Sequence, residues 1–64
     1  MPIVTMKLWE EALDEPKEAE LIGALTDAVA SVLGSEIRQY TTVLIEPVAK
    51  RRWGIAGSQS GDSA

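Results

Sequence analysis

The residues of this chain that could carry chemistry are few, and they lie near its two ends. Its 64 residues include no His and no Cys, which excludes His-based triads, thiolate nucleophiles and zinc sites built from those ligands. A phosphate-binding glycine loop and a dinucleotide-binding fingerprint are also absent from the sequence. We therefore expect no metal and no cofactor. What remains is a proline directly after the initiator methionine and a run of three cations, Lys50, Arg51 and Arg52.

Pro2 gains acid–base chemistry only if Met1 is removed, and initiator methionine is usually cleaved when a small residue such as proline follows. The nitrogen of Pro2 is then a free secondary amine, which can act as a base or a nucleophile. An ordinary α-amino group has a pKa of about 7.7–8.0. Apolar surroundings and nearby cations lower the pKa of an amine because both disfavour its charged form, and a base poised near neutrality suits proton transfer. The candidate cations are Arg38 and the run Lys50–Arg52, and the candidate apolar walls are Trp53 and Trp9.

The hydropathy pattern predicts which elements position these residues. Residues 2–9 alternate between two faces and predict a strand. Asp14 and Pro16 are typical of a helix start, and Gly34 is typical of the position after its end, so we predict one long helix between them. We expect its apolar stripe to cover a sheet; the stripe consists of Leu21, Ile22, Leu25, Val29, Val32 and Leu33.

The second half of the chain predicts one more strand and a small hairpin. Residues 39–46 are rich in β-branched side chains and predict a strand that Pro47 ends. A strand, a helix and a strand of these lengths form a β-α-β unit with parallel strands. The glycines of residues 53–57 favour a short hairpin segment. The fold class is therefore α+β, with one domain over residues 1–57 and a flexible tail over 58–64.

Composition and charge limit the class of protein. Two strands and one helix in a 64-residue chain cannot close a core alone, so the fold should be completed by oligomerisation. The sequence contains neither an apolar run long enough for a membrane span nor a secretory signal, and we expect a cytoplasmic protein that does not bind membranes. The net charge of −4 disfavours nucleic-acid binding. The cationic run Lys50–Arg52 is either a solvated loop or a segment that attracts anionic ligands.

Three segments taken together resemble the 4-oxalocrotonate tautomerase family: Pro2-Ile3-Val4 at the start, Asp14-Glu15-Pro16-Lys17-Glu18 at the helix start, and Trp53-Gly54-Ile55-Ala56-Gly57 near the end. The likeness covers nearly the whole chain to Gly57. It implies a β-α-β protomer whose dimers form four-stranded sheets and assemble into a homohexamer, a trimer of dimers. It further implies enol–keto isomerisation of an unsaturated 2-hydroxy or 2-keto acid, in a setting such as aromatic catabolism.

The resemblance also assigns roles to residues. It implies that Pro2 is the catalytic base and that Trp53, at a position where the family usually has an aromatic residue, makes the pocket apolar. The family's well-studied members have an arginine in the connection after the first strand, where this chain has Glu10-Glu11-Ala12-Leu13. They have another early in the second strand, where this chain has Thr41 or a neighbour. The substrate-binding candidates are therefore Arg38, Arg51, Arg52 and Trp53.

Two other functions stay open at this point. A hydratase or dehalogenase of the same superfamily would keep the amine protonated and would need a carboxylate to activate water, for which Glu46 and Glu11 are the candidates. A non-catalytic subunit of a hetero-oligomer, whose partner supplies the missing arginines, is the other alternative.

Overall fold

A computed structural model describes residues 2–60, and Met1 and residues 61–64 lie outside the described residues. The chain forms one parallel strand pair joined by a helix, followed by a small antiparallel hairpin, which confirms the predicted α+β fold. The elements are β1 (Ile3–Trp9), α1 (Glu15–Leu33), β2 (Thr42–Val48), β3 (Gly54–Ile55) and β4 (Ser58–Gln59). Between them lie a first 3₁₀ turn (Glu10–Ala12), a second (Ser35–Tyr40) and a third (Lys50–Arg52).

The ends of α1 follow from its capping residues, as predicted. The carboxylate of Asp14 accepts a hydrogen bond from the N–H of Lys17 at 2.9 Å, and Pro16 lies in the first turn. Glu15 and Glu18 place negative charge in that turn, where the helix dipole favours it. Gly34 ends the helix with a φ of 115°, a backbone conformation that side chains other than glycine rarely adopt.

Only part of the predicted apolar stripe of α1 is covered. Val4, Met6 and Leu8 of β1 alternate with exposed neighbours, as do Val43 and Ile45 of β2, and these side chains form the half-buried inner face of the sheet. From the helix, the half-buried members of the stripe are Leu21, Leu25 and Val29.

The prediction was wrong for the edges of the stripe. Ile22, Val32 and Leu33 are exposed, Val32 at 82% of its surface and Leu33 at 59%. Strands lie about 4.8 Å apart and a helix is about 10 Å wide, so two strands provide room for only a narrow apolar stripe.

Strand β2 begins and ends later than predicted. Residues 39–41 belong to the second 3₁₀ turn and its end, where the hydroxyl of Thr41 donates to the carbonyl of Ile37 at 2.9 Å and competes with strand pairing. Pro47 continues the strand instead of ending it. The N–H of Thr42 donates to the carbonyl of Pro2 at 2.9 Å. Because the backbone groups of alternate residues face β1, position 47 faces the open edge, where a missing N–H costs no ladder bond.

The predicted hairpin is confirmed, and it extends further than predicted. Ala56 and Gly57, with φ of 53° and 85°, connect β3 to β4 through a two-residue turn that suits the twist of a hairpin. The N–H of Ser60 donates to the carbonyl of Trp53 at 2.7 Å. Strand β4 lies within the segment 58–64 that the sequence analysis assigned to the tail, and residues 61–64 of that segment lie outside the described part of the chain.

The protomer has no enclosed core, because no described residue is fully buried. The outer face of the sheet is apolar in places, and the large apolar side chains exposed there are Ile3, Trp9 and Leu44. An apolar face of this kind on so small a chain is typical of a protein–protein interface. Among the described residues, no helix combines the length and the apolar character that crossing a membrane requires.

We expect Leu44→Lys to weaken self-association, because it places a charge on the outer sheet face that a second copy would cover. Ala19→Lys adds the same charge to an exposed position of α1 and serves as the control. Sedimentation velocity over a range of protein concentrations should give an oligomer for the wild type and the control, and smaller species for Leu44→Lys. A wild-type chain that sediments as a protomer at all concentrations would contradict this expectation.

Candidate active site

The parallel sheet separates the predicted site residues into two groups. Pro2 is half-buried at the amino end of β1, and the second 3₁₀ turn, which carries Arg38, leads into β2 at the same end. Trp9 lies opposite Val48 at the other end, and the third 3₁₀ turn and Trp53 follow directly. At about 3.3 Å per strand residue, Pro2 is roughly 23 Å from Trp9. One chain therefore does not bring Pro2 together with Trp53.

Arg38 is engaged by a carboxylate of its own chain. Its Nη1 donates to Oδ1 of Asp27 on α1, and both side chains are more than half exposed. The ion pair ties the second 3₁₀ turn to the helix. The Asp27 carboxylate already neutralises part of the charge of Arg38, so Arg38 attracts a substrate carboxylate less strongly than an arginine without an acidic partner.

Lys50 is held at the far end of β1 by two partners. Its Nζ lies 2.5 Å from Oε1 of Glu11 in the first 3₁₀ turn. The same nitrogen lies 4.5 Å from the ring centroid of Trp9, a cation–π arrangement. Trp9 in turn meets Trp53 edge to face, with ring centroids 6.1 Å apart. Each contact contributes about 1 kcal/mol or less at an exposed site, but together they connect the first and third 3₁₀ turns.

Arg51 and Arg52 keep their guanidinium groups available for an anion. Neither forms an ion pair with any residue from 2 to 60, whereas Lys7, Arg38 and Lys50 all do. The backbone around them is anchored, since the side-chain amide of Gln59 donates to the carbonyl of Arg51. The N–H of Trp53 also donates to the carbonyl of Lys50 at 3.0 Å. An anchored backbone with unpaired guanidinium groups can bind a carboxylate in two-point geometry.

The two carboxylates considered for activating water are both engaged by lysines. Oε1 of Glu46 lies 3.8 Å from Nζ of Lys7 on the outer sheet face, and Glu11 binds Lys50 as described above. Across residues 2–60, no three metal-ligating side chains converge on one point.

An open groove of about 370 Å³ lies between the first 3₁₀ turn and α1. It is lined by Leu8, Ala12, Leu13, Lys17, Glu20, Leu21 and Ala24. None of the predicted site residues lines it, and its mostly aliphatic walls, with one lysine and one glutamate, form no constellation for proton transfer.

Sequence reasoning missed that Glu11 and Trp9 are the partners of Lys50. The signal was available, because the carboxyl ends of parallel strands lie at the same edge of a sheet. The residues that follow Trp9 and those that follow Val48 must therefore meet. The sequence pattern did not indicate which acid of the first 3₁₀ turn, Glu10 or Glu11, would reach Lys50.

Comparison with known proteins identifies the family of the chain. The family model described as "Tautomerase enzyme" matches residues 2–63. A probable tautomerase of Ralstonia nicotianae is 40% identical over 57 residues, which cover 89% of this chain and 79% of that protein. Probable tautomerases of Staphylococcus aureus strain Mu50 and of Halalkalibacterium halodurans are each 39% identical over 62 residues, covering 97% of this chain and 98% of theirs. No solved structure shows a significant match. On the family match and these near full-length relatives, the chain belongs to the tautomerase family.

Proposed function

We propose that this chain is an isomerase that interconverts the enol and keto forms of an unsaturated 2-hydroxy or 2-keto acid, with the amine of Pro2 as base and acid after removal of Met1. The observation that carries the proposal is the family match, which begins at Pro2 itself. Met1 lies outside the described residues, and its removal is part of the proposal.

The proposed reaction moves one proton. The neutral amine of Pro2 takes the proton of the enol hydroxyl, and the electron pair of that O–H bond becomes part of the new carbonyl. The conjugated double bonds of the substrate shift, and the prolinium returns the proton to a carbon atom of the substrate. An arginine that binds the substrate carboxylate also stabilises the negative charge that develops on the oxygen. No metal or cofactor takes part in these steps.

The open edge of β1 supports a site shared between two copies. The backbone groups of Ile3, Thr5, Lys7 and Trp9 face away from β2, so this edge can pair with another strand, whereas Pro47 removes a donor from the outer edge of β2. A two-fold dimer that pairs β1 with β1 must be antiparallel. Such pairing brings Pro2 of one copy to the Trp9 and Trp53 end of the other, and it gives a four-stranded sheet. Assembly of three such dimers into a homohexamer is part of the proposal.

The distribution of ion pairs supports Arg51 and Arg52 as the carboxylate ligands. Their guanidinium groups have no acidic partner within the described chain, whereas Arg38 is held by Asp27. Trp53 next to them supplies the apolar wall that lowers the pKa of the amine. The lysine partners of Glu46 and Glu11 make the hydratase alternative weaker than the isomerase.

We expect Pro2→Ala to lower kcat/KM at least about 100-fold on any unsaturated 2-hydroxy acid that the wild type isomerises, because a positioned base contributes about that much. In an NMR experiment the amine of the mature wild type should titrate with a pKa below that of an ordinary α-amino group, because apolar surroundings and nearby cations disfavour its charged form. Because the neutral amine is the active form, kcat/KM should rise with pH through that pKa.

The control is a chain in which Met1 is retained, confirmed by mass, so that the nitrogen of Pro2 stays an amide. It should fold and assemble as the wild type does but show no proline-dependent activity. Full activity in Pro2→Ala, or an amine still protonated well above neutrality, would contradict the proposed base.

The shared site predicts complementation between inactive chains. We expect Pro2→Ala and the double variant Arg51→Ala, Arg52→Ala to be weakly active when each is assembled alone. After the two are unfolded together and reassembled in equal amounts, about a quarter of the sites should combine an intact Pro2 with intact arginines. Activity after mixing should therefore approach a quarter of the wild-type value.

The same two variants mixed without unfolding provide the control, because their subunits have not been exchanged. If co-assembly gives no more activity than this control, the site does not combine Pro2 of one copy with the third 3₁₀ turn of another. A pure wild-type homo-oligomer with high turnover would exclude the hetero-oligomer alternative.

A further inference from the structure

We propose that Glu11 determines substrate specificity: by engaging Lys50, it withholds from the ligand the cation that could bind a second carboxylate, which selects conjugated monocarboxylates with an apolar remainder over dicarboxylates. This inference rests on the proposed function, since it concerns the same site.

The charge of this end comes from two short segments. The first 3₁₀ turn contributes Glu10 and Glu11, and the third contributes Lys50, Arg51 and Arg52. Of the three bases, Lys50 is engaged by Glu11, whereas Arg51 and Arg52 have no acidic partner among residues 2–60. Lys7 and Glu46 on the neighbouring sheet face form an ion pair with each other. The two guanidinium groups can bind one carboxylate in two-point geometry, and a second carboxylate would need Lys50.

Lys50 is the cation that could otherwise serve a second carboxylate. Its Nζ is 2.5 Å from Oε1 of Glu11, and the ring of Trp9 occupies another side of the ammonium at 4.5 Å. The pair is only partly exposed on the lysine side, with 36% of the Lys50 side chain accessible. Two of the directions from which an anion could approach are therefore taken by residues of the same chain.

The remaining surface at this end is aromatic. Trp9 and Trp53 meet edge to face with an interplanar angle of 77°, and both rings are partly exposed. Aromatic faces favour a planar, conjugated or aromatic hydrocarbon part of a ligand and offer a second carboxylate no donor beyond the indole N–H. Arg51 and Arg52, which have no acidic partner among residues 2–60, bind the one carboxylate, and the tryptophans lie beside the apolar remainder.

Two unreactive acids test this inference without any turnover. Sorbate and trans,trans-muconate have the same six-carbon chain with two conjugated double bonds, and the terminal methyl group of sorbate is a second carboxylate in muconate. Their binding can be followed by quenching of tryptophan fluorescence. We expect wild type to bind sorbate more tightly than muconate. Glu11→Gln should free Lys50 and tighten muconate binding about two- to fivefold, the range that exposed ion pairs support, while sorbate binding changes less than about twofold.

The matched control is Glu10→Gln, which removes the same charge one residue away from a carboxylate that forms no ion pair with a described residue. The gain for muconate should be absent in this control. It should also disappear in the double variant Glu11→Gln, Lys50→Met, which removes the freed cation. Circular dichroism and sedimentation establish that all three variants fold and assemble.

Equal gains for muconate in Glu11→Gln and Glu10→Gln would overturn the inference, because net charge alone would then account for the preference. So would equal changes for sorbate and muconate, or a wild type that binds neither acid. Failure of the isomerase proposal can be distinguished from failure of this inference. A wild type without turnover would contradict the proposed reaction. If that wild type still preferred sorbate, and only Glu11→Gln lost the preference, the role of Glu11 in specificity would be supported.

Discussion

The register of β1 against β2, with Ile3 opposite Thr42 and Trp9 opposite Val48, places the candidate catalytic and binding residues at two opposite ends of the sheet. Parallel pairing puts both amino ends at one edge and both carboxyl ends at the other. Pro2 is therefore as far from the third 3₁₀ turn as one strand allows. A proline base, an apolar wall and a carboxylate ligand can form one site only if a second copy supplies the missing end.

The same strand pair explains why we expect the chain to associate. A two-stranded sheet under one helix covers a narrow stripe of apolar side chains, and every described residue stays at least partly exposed. The open edge of β1 presents unpaired backbone groups, and Pro47 makes the outer edge of β2 a poorer template. In the proposed dimer, the β1 edge that completes the site is also the edge that extends the sheet to four strands.

Ion pairing within the chain divides its cations into two kinds. Lys7, Arg38 and Lys50 each have an acidic partner and serve to connect elements. Lys17 on α1 and the arginines Arg51 and Arg52 have none among residues 2–60, although the two arginines adjoin Lys50 in sequence. The difference arises because Lys50, the first residue of the third 3₁₀ turn, is the one that reaches Glu11 and Trp9. Neighbouring cations in one short turn therefore have separate roles in the proposed site.

Local physical chemistry let the sequence by itself determine the element order, the ends of α1 and the hairpin, and the resemblance of its motifs indicated the family. Capping by Asp14 and Gly34 and the alternation of β1 act over a few residues and can be read directly. Only the tertiary structure decided the rest: the start of β2, the exposure of Val32 and Leu33, the partners of Arg38 and Lys50, and the separation of Pro2 from Trp53. Each of these depends on which surfaces and charges meet across the fold, and residue spacing contains no direct measure of such distances.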